Sequence, residues 1–578
     1  MKLMIKYLRP FFGRMSFGLT IKIFATLLEL ALPLLLSLIL GTITGSPDGD
    51  NTLKTIIILG VLMIVCAVGA CILNICANRM AARVARGFSE NIRHDLFERI
   101  LSLSPRQVDR FTVPSLESRV TSDTYHTHHF VGIMQRMGVR APILLFGGII
   151  ITLIMDPLLA LVMLAMLPLI FITVLVVSKK GVPLYSGVQT SLDGMIRVVR
   201  EDAQGIRVIK ALSRTEYEHG RYDKANRELV SKEKKAGLVM GITNPVMTLL
   251  MNLGSALVVL LGANLVLGNR SEPETIIAFM QYFTQISMAM MTITRIFVMY
   301  TKCSASANRI DEVLSCEPDL TIVPESELPP RDGDPYLVFD NVSFSYNGKR
   351  PDLADISFSL EKGGSLGIIG ATGSGKTTLA SLLMRFYDVD SGSIRIGGRD
   401  VRTIEQKELN QMFGVALQND FLFADTIAEN IRFGRDITDD ELARAAKIAQ
   451  AEDFIEAFPE KYEHQLSSKG TNVSGGQKQR LLIARAVCGS PDILILDDSS
   501  SALDYKTDAN LRRALAESLG GTTKITVAQR VSSVMSCDLI MVLDEGKIAD
   551  LGTHEELLSR CDIYREISES QMGGAIVE

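Results

Sequence analysis

Apolar and polar positions divide the chain into two unlike parts. Up to about residue 300 it carries apolar stretches at approximately 15–43, 54–78, 130–155, 157–178, 240–268 and 275–300. Each approaches or exceeds the roughly 20 residues with which a helix crosses a bilayer, so the pattern predicts six spans. Asp156-Pro157 separates the third from the fourth, because the residue before a proline is turned away from helical geometry. The 130–178 stretch therefore reads as two antiparallel helices rather than one long one. The first run, Phe17 to Ile43, follows Lys2, Lys6 and Arg9 but is too long for a signal-peptide core and shows no small-residue cleavage site near its end. Residues 1–13, short, basic and aromatic, suit an interfacial helix.

Charge orients these spans. The segment after the second span carries Arg79, Arg83, Arg86, Arg93 and Arg99 among other arginines, and the segment after the fourth runs from Lys179 to Lys235 with many more cations. By contrast the 44–53 loop has only Asp48 and Asp50 as charges, and the 269–274 loop has Arg270 against Glu272 and Glu274. Positive charge stays inside, so both basic segments and both termini are expected in the cytoplasm of a multi-pass protein of the cell membrane. Both segments keep a helical pattern and are expected to prolong the spans as long cytoplasmic helices.

Around Cys316–Pro335 the pattern changes. Pro318, Pro324, Pro329, Pro330 and Pro335 mark an extended linker. Beyond it Tyr336-Leu337-Val338-Phe339 opens a soluble region in which buried-strand runs alternate with helical ones. The expected organisation is an all-α transmembrane domain at 1–315, a linker at 316–335 and a soluble α/β domain at 336–578. The mean hydropathy of +0.23 averages over these two halves. A net charge of −5 over 578 residues gives no sign of nucleic-acid binding. The 8 cysteines are scattered without a CxxC pair and read as free thiols.

The chemistry sits in the second half. Gly370-Ala371-Thr372-Gly373-Ser374-Gly375-Lys376-Thr377 fits G-x-x-x-x-G-K-[ST], with a buried strand before it and a helix from Thr378 after it. Glycines let backbone N–H groups close around phosphates, and the helix N-terminus adds its positive dipole end. Lys376 is placed for the β- and γ-phosphates and the Thr377 hydroxyl for Mg²⁺. Farther on, Ile493-Leu494-Ile495-Leu496-Asp497 is an apolar strand ending in a carboxylate suited to the Mg²⁺ shell. Between them Ser474-Gly475-Gly476-Gln477 opens a second glycine-rich turn into a helix.

With these elements in this order the chain resembles the ATP-binding cassette (ABC) transporter family, in its exporter form with six spans fused to one nucleotide-binding domain. The resemblance covers nearly the whole chain. It implies that ATP and Mg²⁺ are bound, that Tyr346 stacks on adenine, and that Gly370, Gly373, Ser374, Gly375, Lys376, Thr377 and Thr378 hold the phosphates. It implies that Gln418, the Q-loop glutamine, joins Thr377 and Asp497 around Mg²⁺. Ser474, Gly475, Gly476 and Gln477 match the signature that closes on the nucleotide of a partner chain, and Ser501-Ala502-Leu503-Asp504 match the D-loop. Phe111–Asp123 and the Gln204–Glu218 region look like the intracellular loops that carry motion to the spans. Hydrophobic small molecules and lipids become the expected partners of the membrane half.

Two positions depart from the family pattern. Asp498 follows Asp497 where the family usually has Glu, and Gln529 stands where it usually has the switch His; Ser467-Ser468 is a softer departure before the signature. A carboxylate shortened by a methylene and an amide without an adjustable proton suggest a site that binds ATP and hydrolyses it poorly. An intact signature beside it suggests a heterodimer whose second chain supplies the working Glu and His, extruding amphipathic compounds as multidrug-type exporters do. A homodimer with two slow sites, or an ATP-gated regulatory cassette that does not pump, is the alternative. The spans exclude a soluble ATPase, and fusion of spans to cassette argues against an importer.

Outside the cassette, His126, His128 and His129 invite a metal reading, but no carboxylate or cysteine is placed to complete a shell. Lys22 and Glu29 lie inside the first span, where they either line a polar cavity or are satisfied by snorkelling and pairing within the bundle. Asn74, Asn244, Asn252 and Gln285 are further polar candidates. Methionines such as Met247, Met251, Met288 and Met291 serve either an adaptable pocket or ordinary packing.

Overall fold

The computed structural model describes residues 1–44, 49–268, 270–331, 333–418 and 420–572. Asp48 of the first outer loop, Asp332 of the linker and the last residues of the cassette range lie outside the described residues. The chain divides into two compact units, one of Met1–Leu101 with Thr112–Cys316, the other of Ser102–Phe111 with the chain from Glu317 onward.

The first unit is all helical. Among the described residues six helices are long and apolar enough to cross a membrane, namely Lys2–Thr44, Asn51–Leu101, Val113–Met155, Pro157–Gln204, Thr215–Leu267 and Pro273–Leu314. They match the six apolar windows in number and order. The break before Pro157 has a local cause. Asp156 is extended, and its Oδ1 accepts from the backbone N–H of Leu158 at 2.9 Å and of Leu159 at 3.2 Å, while Pro157 fills the first helical position where no N–H is needed. Pro157–Gln204, at 48 residues, spans roughly 70 Å at 1.5 Å per residue, far beyond a hydrocarbon core of about 30 Å.

Inside this unit Leu30, Leu144, Met163, Phe283 and Ile286 form a buried cluster. The Tyr282 hydroxyl donates to the Leu30 carbonyl at 2.6 Å and ties the first long helix to the last. Close helix approach is bought with small residues, as membrane packing requires. At Gly148 a Cβ would lie 2.7 Å from Ile286 Cγ1. Asn51–Leu101 instead leaves Ile58, Ile64 and Val65 on the outside, as a lipid-facing span should. At the polar end of the unit Asp123, fully buried, pairs with Arg309, and Arg119 pairs with Glu312 at 2.9 Å.

The second unit is α/β with two sheets. In the antiparallel one, β2 (Leu353–Leu360), β1 (Leu337–Phe344), β4 (Ser391–Ile396) and β5 (Arg399–Asp400) lie in that order. In the other the order is β10 (Lys547–Gly552), β9 (Leu539–Asp544), β3 (Ser365–Gly370), β8 (Thr523–Val527), β7 (Ile493–Asp497) and β6 (Phe413–Ala416). All its pairings are parallel except β10 with β9. Parallel strands covered on both faces must be apolar throughout, and every residue of β7 is buried. The carboxyl ends of β3, β7 and β8 therefore converge on one edge, where ligands of open α/β sheets bind.

Two segments join this unit from outside the cassette proper. The described residues of the proline-rich stretch form no helix or strand, yet they lie along the domain: Val323 N–H donates to Arg402 O at 2.9 Å and the buried Arg385 donates to Thr321 O at 2.6 Å. The short helix Pro105–Phe111 belongs here as well. Ser104 Oγ donates to Asp319 at 2.9 Å, Gln107 Nε2 to Glu317 O at 2.6 Å, and Tyr387 OH to Asp109 Oδ2 at 3.4 Å. Burial, then the nearby Asp109 carboxylate, pushes the Tyr387 phenol up to about 12. Phe111–Asp123, read from sequence as the first intracellular loop, overlaps this helix only at Phe111; the helix Val113–Ser118 and the wide turn Arg119–Asp123 lie in the first unit.

Candidate functional site

Gly370 ends β3 and the helix Lys376–Leu383 begins six residues later, so the loop between them must turn sharply. Gly373 and Gly375 adopt φ of 83° and 101°, in the left-handed region that favours glycine. Gly370 is fixed by space: a Cβ there would sit 2.0 Å from the Leu543 carbonyl oxygen. The β9–β10 hairpin buttresses the loop from that side, with Gly546 N–H donating to Ser374 O at 3.2 Å.

Lys376 Nζ donates back to the carbonyls of Gly370 at 2.9 Å and Ala371 at 2.7 Å. Thr377 Oγ1 donates to Asp497 Oδ2 at 2.9 Å, joining the loop to the tip of β7. One position on, the Asp498 carboxylate gathers two amides on one oxygen: Gln418 Nε2 at 3.1 Å and Gln529 Nε2 at 3.0 Å. Asp498 has a φ of 48°, and its N–H donates to Val527 O at 2.8 Å, which fixes the turn at which its side chain departs. Lys376, Thr377, Gln418, Asp497, Asp498 and Gln529 line one cavity of about 830 Å³ together with the rest of the loop.

Charge in this cavity is strained by burial. Desolvation raises the Asp497 carboxyl, with the Thr377 hydroxyl opposing it, and raises Asp498 against the pull of Arg530 and Lys376. Desolvation also lowers the Lys376 ammonium, opposed by both aspartates. Two carboxylates and a lysine that each resist ionisation form a site in which a divalent cation and a polyphosphate would relieve the cost.

The residues fit such a group. The helix Lys376–Leu383 has no side-chain cap on its first turn, the buried Ser374 hydroxyl has no hydrogen-bond partner among the described residues, and Gly370 and Gly375 leave no room for a Cβ. Phosphates would lie against the loop amides and Lys376, while Mg²⁺ would lie between Thr377, Asp497 and Gln418. Tyr346 stands beside this region, 40% exposed, its hydroxyl 3.4 Å from Thr378 Oγ1, with its ring edge-on to Tyr387 at 5.1 Å. It is not among the residues lining the cavity.

The signature residues lie elsewhere and do not line this cavity either. Ser474 caps its helix in a reciprocal box, Gln477 N–H to Ser474 Oγ at 3.3 Å and Ser474 N–H to Gln477 Oε1 at 2.9 Å. Sequence reasoning missed Gln479, which binds the D-loop through Ala502 N–H at 2.9 Å and Ser501 Oγ at 3.1 Å. It also missed Arg530, which donates to Ser501 O at 3.3 Å while acting on Asp498. Adjacency to Gln529 was the available signal for Arg530; for Gln479 there was none.

In the membrane unit Lys22 and Glu29 meet through Asn74. Lys22 Nζ donates to Asn74 Oδ1 at 2.5 Å, Asn74 Nδ2 donates to Glu29 Oε1 at 2.8 Å, and Arg140 Nε donates to Glu29 Oε2 at 2.9 Å. Two of the three histidines are engaged otherwise: His128 Nδ1 lies 2.9 Å from Ala85 O, and His129 stacks on Tyr125 at 5.7 Å.

A phosphate-binding loop on a parallel sheet, continuous with six membrane-crossing helices, defines a membrane protein driven by ATP. Comparison with known proteins gives the family. Residues 15–290 match the ABC transporter transmembrane region and residues 353–501 match the ABC transporter domain. An uncharacterized ABC transporter ATP-binding protein of Mycobacterium tuberculosis is 34% identical over 100% of this chain and 99% of its own length. YfiB of Bacillus subtilis is 34% identical over 98% of each chain, and the putative ABC transporter ATP-binding protein exp8 of Streptococcus pneumoniae is 30% identical over 99% of this chain and 97% of its own. The chain belongs to the ABC transporter family. Its fold is that of a solved bacterial Atm1-family ABC exporter with ATP bound, at a TM-score of 0.81 and 24% identity over 96% of this chain and 97% of that one.

Proposed function

We propose that this chain is one half of a heterodimeric, ATP-driven exporter of amphipathic compounds in the cell membrane, its cassette and both termini cytoplasmic. Its own P-loop site holds Mg-ATP and hydrolyses it slowly. The observation that carries this reading is the doubly hydrogen-bonded Asp498, held by Gln418 and Gln529 beside Lys376 and Thr377. A base for the attacking water must reach that water, and the Asp498 oxygen is instead held back among two amides, neither of which takes up or releases a proton. Lys376 and Thr377 remain suited to nucleotide retention, so the site works as a clamp. Ser474, Gly475, Gly476 and Gln477 serve the partner's nucleotide, and the partner supplies the catalytic carboxylate and imidazole. The test is to purify this chain alone and together with a copurifying partner. Little ATPase alone and substrate-stimulated ATPase in the pair is expected; robust turnover by the chain alone ends the asymmetric reading. Within the pair, Lys376→Ala should weaken ATP retention, and the equivalent change in the partner should reduce turnover more. Equal losses would contradict the division of labour.

A further inference from the structure

Glu29, Arg140 and Gln285 border a cavity of about 290 Å³ in the membrane unit, with Leu144, Met288 and Thr292 on its remaining walls. Glu29 is fully engaged, one oxygen by Asn74 and the other by Arg140. Arg140 uses only Nε in that pair, which leaves both its terminal amino groups without a partner among the described residues. Gln285 ends in the same cavity with its buried Oε1 unpartnered, and half a turn of the amide presents its NH₂ there instead. The charges do not balance. Arg140, Glu29 and Arg136 all act on Lys22, so three cations face one carboxylate at the depth of a span. Lys22 is buried, Arg140 half-buried and Arg136 exposed, and positive charge left unpaired at that depth is costly unless an anion accompanies it.

We propose that this cavity is the binding site for the anionic group of an amphipathic ligand, a sulfate, phosphate or carboxylate carried on an apolar body, held by Arg140 with Gln285 beside it. This rests on the transport reading above and narrows its substrate class. The guanidinium edge offers two parallel N–H donors to such a group, while Glu29, itself held by Asn74, keeps the guanidinium in place. Leu144 and Met288 give the apolar body a wall, and the volume suits a head group with the first ring or two of a ligand.

The test compares estrone sulfate with estrone, the same apolar body with and without the anion. Binding of each in radiolabelled form is measured on the full chain, with any copurifying partner, in phosphatidylcholine nanodiscs. Estrone sulfate should bind the more tightly. Arg140→Gln should weaken it about tenfold or more, the scale of a charged hydrogen bond, and leave estrone within about twofold. Arg140→Lys, keeping the charge but not the paired donors, should recover only part of that loss, and Glu29→Gln should tighten estrone sulfate by freeing the cation. Equal binding of the two steroids, or indifference of estrone sulfate to Arg140→Gln and Glu29→Gln, overturns the proposal while leaving transport of amphiphiles standing. Failure of estrone sulfate, estrone and the cationic dye rhodamine 6G alike to bind or to stimulate ATPase overturns the transport reading itself, and this proposal with it. Adding phosphatidylglycerol separates two sources of the anion. Competition with estrone sulfate assigns the site to an anionic lipid, and lack of competition to a free amphiphile; both keep an anion on Arg140.

Discussion

Lengthening Asp498 to glutamate changes one bond in the candidate site and tests why that site should be slow. The side chain leaves a turn at φ 48° pinned by its N–H to Val527 O, so the added methylene extends the carboxylate outward rather than shifting the backbone. One carbon–carbon bond is about 1.5 Å. That distance carries the oxygen past the two amides that now hold it at 3.1 and 3.0 Å and toward the water it would activate. Misplacement by about 1 Å costs on the order of a hundredfold, or about 2.7 kcal/mol of barrier. Asp498→Glu should therefore raise phosphate release by this chain's site by up to about a hundredfold, and Asp498→Glu with Gln529→His should raise it further. The assay is single-turnover phosphate release with Lys376→Ala as background and fluorescent-nucleotide binding as a control for the site's integrity. A rate within about twofold of the parent, with nucleotide binding intact, would refute the argument that reach limits hydrolysis.

Other expectations follow from the same geometry. Burial raises the Asp497 carboxyl, and an acid whose folded pKa is raised contributes stability that is full below its unfolded value near 3.9 and is lost as pH rises through the folded value. Asp497→Asn should accordingly raise the melting temperature of the nucleotide-free protein at pH 7, with the advantage vanishing toward pH 4, while Mg²⁺-dependent ATP binding is lost; a lower melting temperature at pH 7 would contradict this. Gly148→Leu forces a side chain where even a Cβ lies 2.7 Å from Ile286, and should cost about 1–3 kcal/mol of stability, read as an earlier thermal transition in detergent. Gln107→Ala removes the 2.6 Å bond from the helix Pro105–Phe111 to Glu317 O, and should leave nucleotide binding unchanged while transport per ATP hydrolysed falls. An unchanged ratio would mean that this bond carries no motion.

Much of this molecule could be read before any fold was known, because the responsible physics is local. Twenty consecutive apolar residues define a span wherever they occur, and Asp156-Pro157 ends a helix through atoms within three residues of itself. The Gly370–Thr377 loop is legible for the same reason: its glycines, lysine and threonine act within one turn of chain. What stayed hidden depends on residues far apart in sequence. Gln418 and Gln529 reach Asp498 only because β6, β7 and β8 lie side by side in register, and nothing in the sequence says that both amides share one oxygen. The proline-rich stretch reads as a free linker, yet Arg385 and Arg402 hold it against the cassette, and the ten residues Ser102–Phe111 join that unit through Asp319, Glu317 and Asp109–Tyr387. Lys22 and Glu29 were visible as charges in a span with two readings open. Packing brings Asn74 and Arg140 to Glu29 from two other helices, while Glu29 also borders a cavity, and that combination exists only in three dimensions.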